Sequence, residues 1–238
     1  MQSRPPIPTK LEREVRKSAY YGCVRCGCPI VHIHHIEPWA EVKKHEKDNL
    51  VALCPNCHDE VHNGTYIREH LLEDIKNPFN KKTGVVSKSF GLGKLADIDF
   101  CMGGVRAANT PNILTVQNQR LIFFNMDHAG NALLNAIFYD EKGNLIAIIE
   151  DNIWKTFIRP DTWDISYKAG RLKINNKSKP VYLEFEAKNN IIVIKGKLHY
   201  RGCTLEVNEE ELIINTPSVS GFHFKNCRAS DCNTLISI

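Results

Sequence analysis

Two pairs of cysteines have the spacing of a metal site. The pairs are Cys23-x2-Cys26 and Cys54-x2-Cys57, with 27 residues between them. Two residues between thiolates let each pair wrap around one ion, and four thiolates suit a tetrahedral Zn²⁺. A redox dithiol is the alternative, but two matched pairs favour zinc, and Cys28 fits no ligand position. Because a closed site of four cysteines has no open coordination position, the predicted zinc is structural and any chemistry must come from other residues.

Histidines are concentrated in the same part of the chain. Seven of the ten lie in residues 1–85, three of them within the stretch VHIHHIEPW at 31–39. The seven are His32, His34, His35, His45, His58, His62 and His70. Imidazole is both a metal ligand and a base that works near neutral pH. The imidazoles between and after the cysteine pairs are therefore the candidates for chemistry in this region.

Short secondary-structure elements must hold these side chains. Apolar spacing predicts a helix from Thr9 to about Tyr20, with cationic residues on its other face. The next elements are predicted as a short strand through His34-His35, a loop over about 38–48, a strand over 50–53, a helix over 58–62 and a helical segment over 67–75. Gly64 is placed to end the helix that starts at His58. The order strand, loop, strand, helix brings the cysteine pairs and the histidines to one place.

The order of these residues resembles a known family. The motifs that carry the resemblance are Cys23-x2-Cys26, His34-His35-Ile36-x-Pro38, Asp48-Asn49-Leu50-Val51-x-Leu53-Cys54-x2-Cys57-His58 and His62. They are similar to those of the HNH endonucleases, whose ββα-metal fold would cover about residues 10–75. The fold class expected for the chain is α+β, with a zinc-stabilised nuclease domain first.

The resemblance implies a role for each central residue. His35 would be the general base that activates water, and Asn49 would hold the loop that positions this base. His34 and His58 would bind a catalytic divalent ion, while the four cysteines would bind structural Zn²⁺. Elementary chemistry agrees, since phosphodiester cleavage needs a base near pH 7 and a cation beside the phosphate. His58 at a helix start would also lie near free N–H groups that attract phosphate.

The donor set bears on the identity of the catalytic ion. Two imidazoles are softer ligands than two carboxylates, which favours Mn²⁺, Ni²⁺, Co²⁺ or Zn²⁺ over Mg²⁺. Candidate substrate contacts are His62 and the helical cations Arg13, Arg16 and Lys17. For His62 the alternative is structural packing, and for the cations it is a solvated helix face.

The rest of the chain has a different pattern. Residues 1–76 are predicted as the nuclease domain, 77–97 as a Gly-, Lys- and Asn-rich linker, and 98–238 as an all-β domain. Three pairs of apolar runs, around 141–144, 188–190 and 208–211, read as hairpins. We expect an antiparallel sandwich, with a β-solenoid as the alternative. This β-rich part shows no catalytic motif, and its hypothetical role is substrate positioning or assembly.

Composition narrows the function classes only a little. The net charge of +4 is not concentrated in one half, so DNA binding is argued from the site and not from overall charge. The polar, basic N-terminal segment predicts a cytoplasmic protein, and no apolar run approaches the roughly 20 residues of a membrane span. The leading hypothesis is a metal-dependent HNH endonuclease acting on DNA in restriction or anti-phage defence, with a homodimer as a further hypothesis. The alternatives are a phage DNA-processing nuclease and a catalytically inactive, zinc-stabilised DNA-binding module.

Overall fold

The computed structural model describes residues 4–168, 170–176 and 182–238. The chain divides into two compact units. The first comprises residues up to Ser87 together with Ile158–Ser166, and the second comprises Lys88–Phe157 and Tyr167–Ile238. Within the described ranges, no helix is both long enough and apolar enough to cross a membrane.

The first unit contains short helices around a two-stranded sheet. Its elements are α1 (Thr9–Ser18), β1 (His32–His35), α2 (Trp39–Val42), β2 (Leu50–Leu53), α3 (Pro55–His62), α4 (Arg68–Lys76) and α5 (Phe79–Thr83). The strands β1 and β2 pair antiparallel, with His35 opposite Leu50 and His34 opposite Val51. A ββα arrangement is therefore present, as the sequence predicts.

The core of this unit forms around strand β2. All four of its residues are buried, and Val15 and Ala19 of the first helical segment belong to the same apolar cluster. Each fully buried Val or Leu side chain in this cluster stabilises the folded state by about 1.5–3 kcal/mol. Three of the zinc-motif cysteines, Cys23, Cys54 and Cys57, are part of this cluster, so the predicted metal site is built into the core.

Helix α3 begins three residues earlier than the sequence predicts. Pro55 occupies the first turn, where its missing N–H costs nothing, and Cys54 Sγ accepts a hydrogen bond from Cys57 N at 3.5 Å. The backbone N–H of His58 donates to Cys54 O at 2.8 Å, so it is not free for a phosphate. The expectation of a helix N-terminus at His58 is wrong because the second cysteine pair itself forms the cap.

The range 77–97 contains regular structure. Helix α5 lies within it, and β3 (Val85–Ser89) follows directly. Asn80 is buried, and the amide N–H of Phe79 donates to Val24 O at 2.8 Å. The start of this range therefore packs against the first cysteine pair, although its composition is typical of a linker. The predicted boundaries of the nuclease and β-rich domains, at 76 and 98, stay predictions.

The β-rich region follows. Its strands are β4 (Asp99–Met102), β5 (Val105–Ala108), β6 (Asn112–Val116), β7 (Gln119–Met126), β8 (Ala132–Tyr139), β9 (Leu145–Glu150), β10 (Ile153–Phe157), β11 (Thr162–Lys168), β12 (Arg171–Asn176), β13 (Leu183–Lys188), β14 (Ile191–Tyr200), β15 (Cys203–Val207), β16 (Glu211–Asn215), β17 (Phe222–Lys225), β18 (Cys227–Ser230) and β19 (Thr234–Ser237). The three predicted hairpins are confirmed as β8–β9, β13–β14 and β15–β16. At the tip of β13–β14, Asn189 and Asn190 both have positive φ, as a tight two-residue hairpin turn requires.

The sheet is mixed, so the antiparallel pairing expected of a sandwich holds for only part of it. Strands β4, β5 and β6 pair in parallel with β14, β18 and β19. Hairpin signals report only strands that are neighbours in sequence, whereas these partners are about 90–120 residues apart in the numbering. Whether the layers correspond to a sandwich or a solenoid stays a prediction.

Candidate active site and metal centres

The four predicted zinc ligands converge. Their sulfur atoms all lie within 4.8 Å of one another. Cys26 Sγ is 3.7 Å from Cys54 Sγ and 3.9 Å from Cys57 Sγ. Tetrahedral Zn²⁺ with Zn–S bonds of about 2.3 Å places its sulfurs about 3.8 Å apart, so these distances fit the ion. Cys28 is not a member of this group, in agreement with the sequence prediction.

The backbone turn after the first cysteine pair is formed by Gly27, whose carbonyl oxygen accepts a hydrogen bond from Asn80. Gly27 has φ +75°, and a Cβ there would lie 2.4 Å from Asn80 Oδ1. Asn80 Nδ2 donates to Gly27 O and to Tyr20 O, both at 3.2 Å. Sequence reasoning missed Asn80, because nothing in a Lys- and Asn-rich segment marks one asparagine as buried.

The pKa values of the cysteine thiols indicate whether all four can be ionised without a bound cation. Burial is the main cause that raises the pKa of Cys26, to about 11, and it also raises that of Cys57. Burial acts in the same direction on Cys54, but hydrogen bonds from Cys57 and neighbouring thiols outweigh it and lower its pKa overall. Four thiolates so close together repel one another unless a metal compensates their charge. The donor set therefore fits a structural zinc.

A second group of donors is formed by histidines. One ring nitrogen from each of His34, His58 and His62 lies within 4.8 Å of the other two. The ring centroids are 4.9 Å apart for His34–His58 and 4.5 Å apart for His58–His62. The last two lie one helical turn apart on α3, so they share a face. The structure thus brings the predicted ligands His34 and His58 together and adds His62, while His32 lies beside the group with its ring 5.9 Å from that of His58.

The lowered pKa values of the histidines in this group favour the binding of a cation. Burial, followed by the neighbouring His58 and His62, lowers the pKa of His34 to about 4. Burial and the same kind of neighbour also lower the pKa of His58. Since a metal binds neutral imidazole, these shifts keep the two donors available at neutral pH. Three imidazoles leave at least one coordination position open, unlike the four thiolates.

His35 contacts a different set of residues. It is buried at the end of β1, and its ring lies 5.7 Å from that of Trp39 and 5.1 Å from that of His45. Its Nε2 is 3.1 Å from His45 Nδ1, and Arg4 Nη2 is 2.8 Å from its Nδ1. Burial and the positive charge of Arg4 lower the pKa of His35. Sequence reasoning missed Arg4 and assigned no specific role to His45, because neither belongs to a motif.

Asn49 binds the backbone at the end of the strand pair where the loop connects β1 to β2. Its Oδ1 accepts a hydrogen bond from Glu37 N at 2.7 Å, and its Nδ2 donates to Glu37 O at 3.2 Å. The carbonyl of Asn49 accepts from Ile36 N at 3.0 Å. These bonds fix the backbone immediately after His35, which is the position the predicted role requires.

The helical cations lie among other residues. Arg16 Nη2 donates to Asp164 Oδ2 at 2.7 Å, and the guanidinium of Arg13 lies 4.3 Å from the ring centre of Trp163. Lys17 is exposed and lines an open cavity of about 620 Å³ with Lys47 and Arg159. The charge of Arg16 is thus compensated within the unit, and of these three predicted substrate contacts only Lys17 is exposed.

Comparison with known proteins assigns the family of this region. Residues 23–64 match the model of the HNH endonuclease family. The matched range contains the cysteine group and the histidine group described above. This part of the chain is therefore an HNH endonuclease domain with a four-cysteine cluster, and the family resemblance seen in the sequence is confirmed.

Two curated relatives each match about a quarter of the chain. The Escherichia coli K12 protein called type IV methyl-directed restriction enzyme EcoKMcrA is 42% identical over 55 residues, which is 23% of this chain and 20% of that protein. Anaredoxin from Nostoc is 31% identical over 65 residues, or 26% of this chain and 86% of that protein. The chain thus spans only a fifth of the length of the restriction enzyme. No solved structure matches the chain significantly.

Proposed function

We propose that this chain is a metal-dependent endonuclease that hydrolyses DNA phosphodiester bonds. The observation that carries the proposal is the convergence of three imidazole donors in an HNH domain, one of them His34, which precedes the buried His35 in the chain. A divalent ion held there would stabilise negative charge on the phosphate and on the leaving oxygen. His34 and His58 would hold this ion, with His62 as a third ligand.

The residues of the chain would supply the remaining steps. His35 would accept a proton from the attacking water, and the products would be 5′-phosphate and 3′-hydroxyl ends. Asn49 would keep this base in place through its two hydrogen bonds to Glu37. Lys17 is the exposed cation proposed to contact DNA. The β-rich region would position the substrate or mediate assembly, and a cytoplasmic location and a homodimer are kept as part of the proposal.

The proposed setting is restriction of foreign DNA. Its support is the partial similarity to a restriction enzyme described as methyl-directed. We therefore expect DNA methylation to change the cleavage rate, with the β-rich region as the candidate source of this selectivity. A phage DNA-processing nuclease is the alternative setting, and equal cleavage of methylated and unmethylated plasmid would favour it.

The test is a plasmid cleavage assay with methylated and unmethylated supercoiled DNA and Mn²⁺, Ni²⁺, Co²⁺ or Mg²⁺. We expect cleavage by the parent protein and a loss of about 10²–10⁴-fold in His35→Ala, the range for removal of a general base. His70→Ala, an exposed histidine of the same unit, is the matched control and should cleave like the parent. DNA binding without cleavage under every metal would contradict the proposal and support the inactive zinc-stabilised module.

A further inference from the structure

We propose that His45 is a positioning residue that fixes the tautomer of His35 through a one-directional chain of hydrogen bonds. The inference rests on the proposed function, in which His35 is the base. It concerns a residue of the loop between β1 and β2 that lies outside the HNH motif residues.

The chain of contacts has four members. Arg4 Nη2 lies 2.8 Å from His35 Nδ1, and His35 Nε2 lies 3.1 Å from His45 Nδ1. His45 Nε2 then lies 3.0 Å from the carbonyl oxygen of Pro5. Both ring nitrogens of both histidines are therefore engaged, and the N-terminal segment supplies both ends of the chain.

The two ends determine where every proton lies. A guanidinium can only donate a hydrogen bond, and a carbonyl oxygen can only accept one. His45 must therefore carry its proton on Nε2, which leaves Nδ1 to accept. His35 must then donate from Nε2 and keep a lone pair on Nδ1. A doubly protonated His35 would present an N–H to the Arg4 guanidinium, which can only donate. A doubly protonated His45 would donate to His35 Nε2, and His35 would then need a lone pair on both nitrogens, which a neutral imidazole does not have. Two neutral imidazoles in this one arrangement satisfy every contact.

Packing keeps His45 in place for this task. The ring of Trp39 lies 4.6 Å from that of His45 and 5.7 Å from that of His35, so it contacts both members of the pair. Lys43 ends α2 in the left-handed conformation, at φ +48°, which turns the loop back toward β1. The loop thus returns a side chain to the end of the strand it has just left.

The consequence for the reaction is that His35 already has the tautomer and ring orientation that a general base needs. The lone pair of His35 lies on the nitrogen that Arg4 contacts, so an attacking water would take the place of this guanidinium on Nδ1. Because the second nitrogen is already committed to His45, the ring cannot exchange tautomers or turn over. Removing such an orienting partner typically costs 10–100-fold in activity. The loss should fall on kcat and leave KM nearly unchanged, since His45 does not touch the substrate.

The first measurement needs no mutation of His45 and no activity. Nitrogen-15 NMR of histidine-labelled parent protein at pH 8, with His35→Ala to assign the signal, should find the His35 proton on Nε2. A proton on Nδ1 would overturn the proposal. Because this result is independent of cleavage, an inactive parent protein would contradict the proposed function alone.

The second measurement uses two amides that mimic different edges of the ring. In His45→Asn, Oδ1 takes the place of Nδ1 and can still accept from His35, whereas the amide of His45→Gln extends toward Pro5. We expect kcat to fall roughly 10–100-fold in His45→Ala and His45→Gln and to recover substantially in His45→Asn. The proposal would be overturned if the Asn and Gln variants had equal rates or if kcat were unchanged in His45→Ala. An effect confined to KM would overturn it as well.

Discussion

The cysteine group and the histidine group are two sets of side chains in one small domain that could hold a metal ion, and they differ in number, burial and donor type. Each set of donor atoms lies within 4.8 Å. The cysteines are four in number, and three of them are buried, whereas the three histidines range from buried to exposed. Four thiolates complete a tetrahedron, while three imidazoles leave room for a water or a phosphate oxygen. The difference separates a group that holds the fold from a group that can do chemistry.

The largest effect should follow removal of a cysteine ligand. Structural zinc contributes apparent folding free energies of about 10–16 kcal/mol in small domains, which matches or exceeds the total stability of most domains. Cys57→Ser should therefore lose zinc and unfold the first unit. Zinc content by mass spectrometry and thermal unfolding by circular dichroism measure this. Cys28 lies beside the first pair but outside the group, so Cys28→Ser should keep its zinc and its folded first unit. Retention of zinc by Cys57→Ser would mean that the group is not the zinc site.

Removal of a histidine ligand should affect activity and not folding. His58→Ala should lower the cleavage rate by more than about 100-fold and leave zinc content and the unfolding temperature close to those of the parent. His32→Ala is the matched control, because its ring is only 5.9 Å from that of His58 but is not part of the three-donor group. If the two variants lost activity equally, the assignment of ligands within the histidine group would be wrong.

The two groups should also differ in their exchange of ions. A three-imidazole site binds Mn²⁺ or Ni²⁺ more readily than Mg²⁺, so cleavage should be about tenfold or more faster with either of the first two ions at equal concentration. Brief treatment with EDTA should abolish cleavage while the buried thiolates keep their zinc, and added Mn²⁺ should restore it. A clear advantage of Mg²⁺ in this assay would contradict the inference from the donor set.

The sequence was informative where chemistry depends on spacing between residues close in the chain. The cysteine pairs, His34 and His58 could be placed together because two short strands and one helix leave few arrangements. His45 and Arg4 could not, because their contacts with His35 come from a loop fold and a terminal segment without periodicity. Asn80 was hidden in a segment whose composition is typical of a linker.

The same limit applies on a longer scale. The segment 158–166 belongs to the first unit, although it contains most of β11 and lies in sequence between β10 and β12 of the second unit. Its Asp164 pairs with Arg16, and the backbone carbonyl of Thr162 accepts from the Tyr21 hydroxyl at 3.1 Å. A truncation after residue 97 would therefore remove part of the packing around α1, and it is not a clean separation of two domains. No local pattern predicts contacts over about 140–150 residues of sequence.

The smallest effect concerns protons that compete with the metal at the histidine group. Burial and its histidine neighbours lower the pKa of His34 to about 4, against about 6.5 in the unfolded chain. As the pH falls from 6.5 to 4, the unfolded state therefore takes up this proton first, and stability is lost in that window but not above it. We expect the parent protein, without added divalent metal, to lose about 1–2 kcal/mol more unfolding free energy over this range than His34→Asn, since water still reaches part of the ring.

Urea unfolding at intervals between pH 7 and pH 4 measures this difference. Protonation of the zinc thiolates at low pH acts on both proteins and cancels in the comparison. Added Mn²⁺ should displace the loss in the parent to lower pH, because ion and proton compete for the same nitrogen, and it should not do so in the variant. Parallel pH profiles of the two proteins would show that His34 is not the neutral donor on which the contrast between the two groups depends.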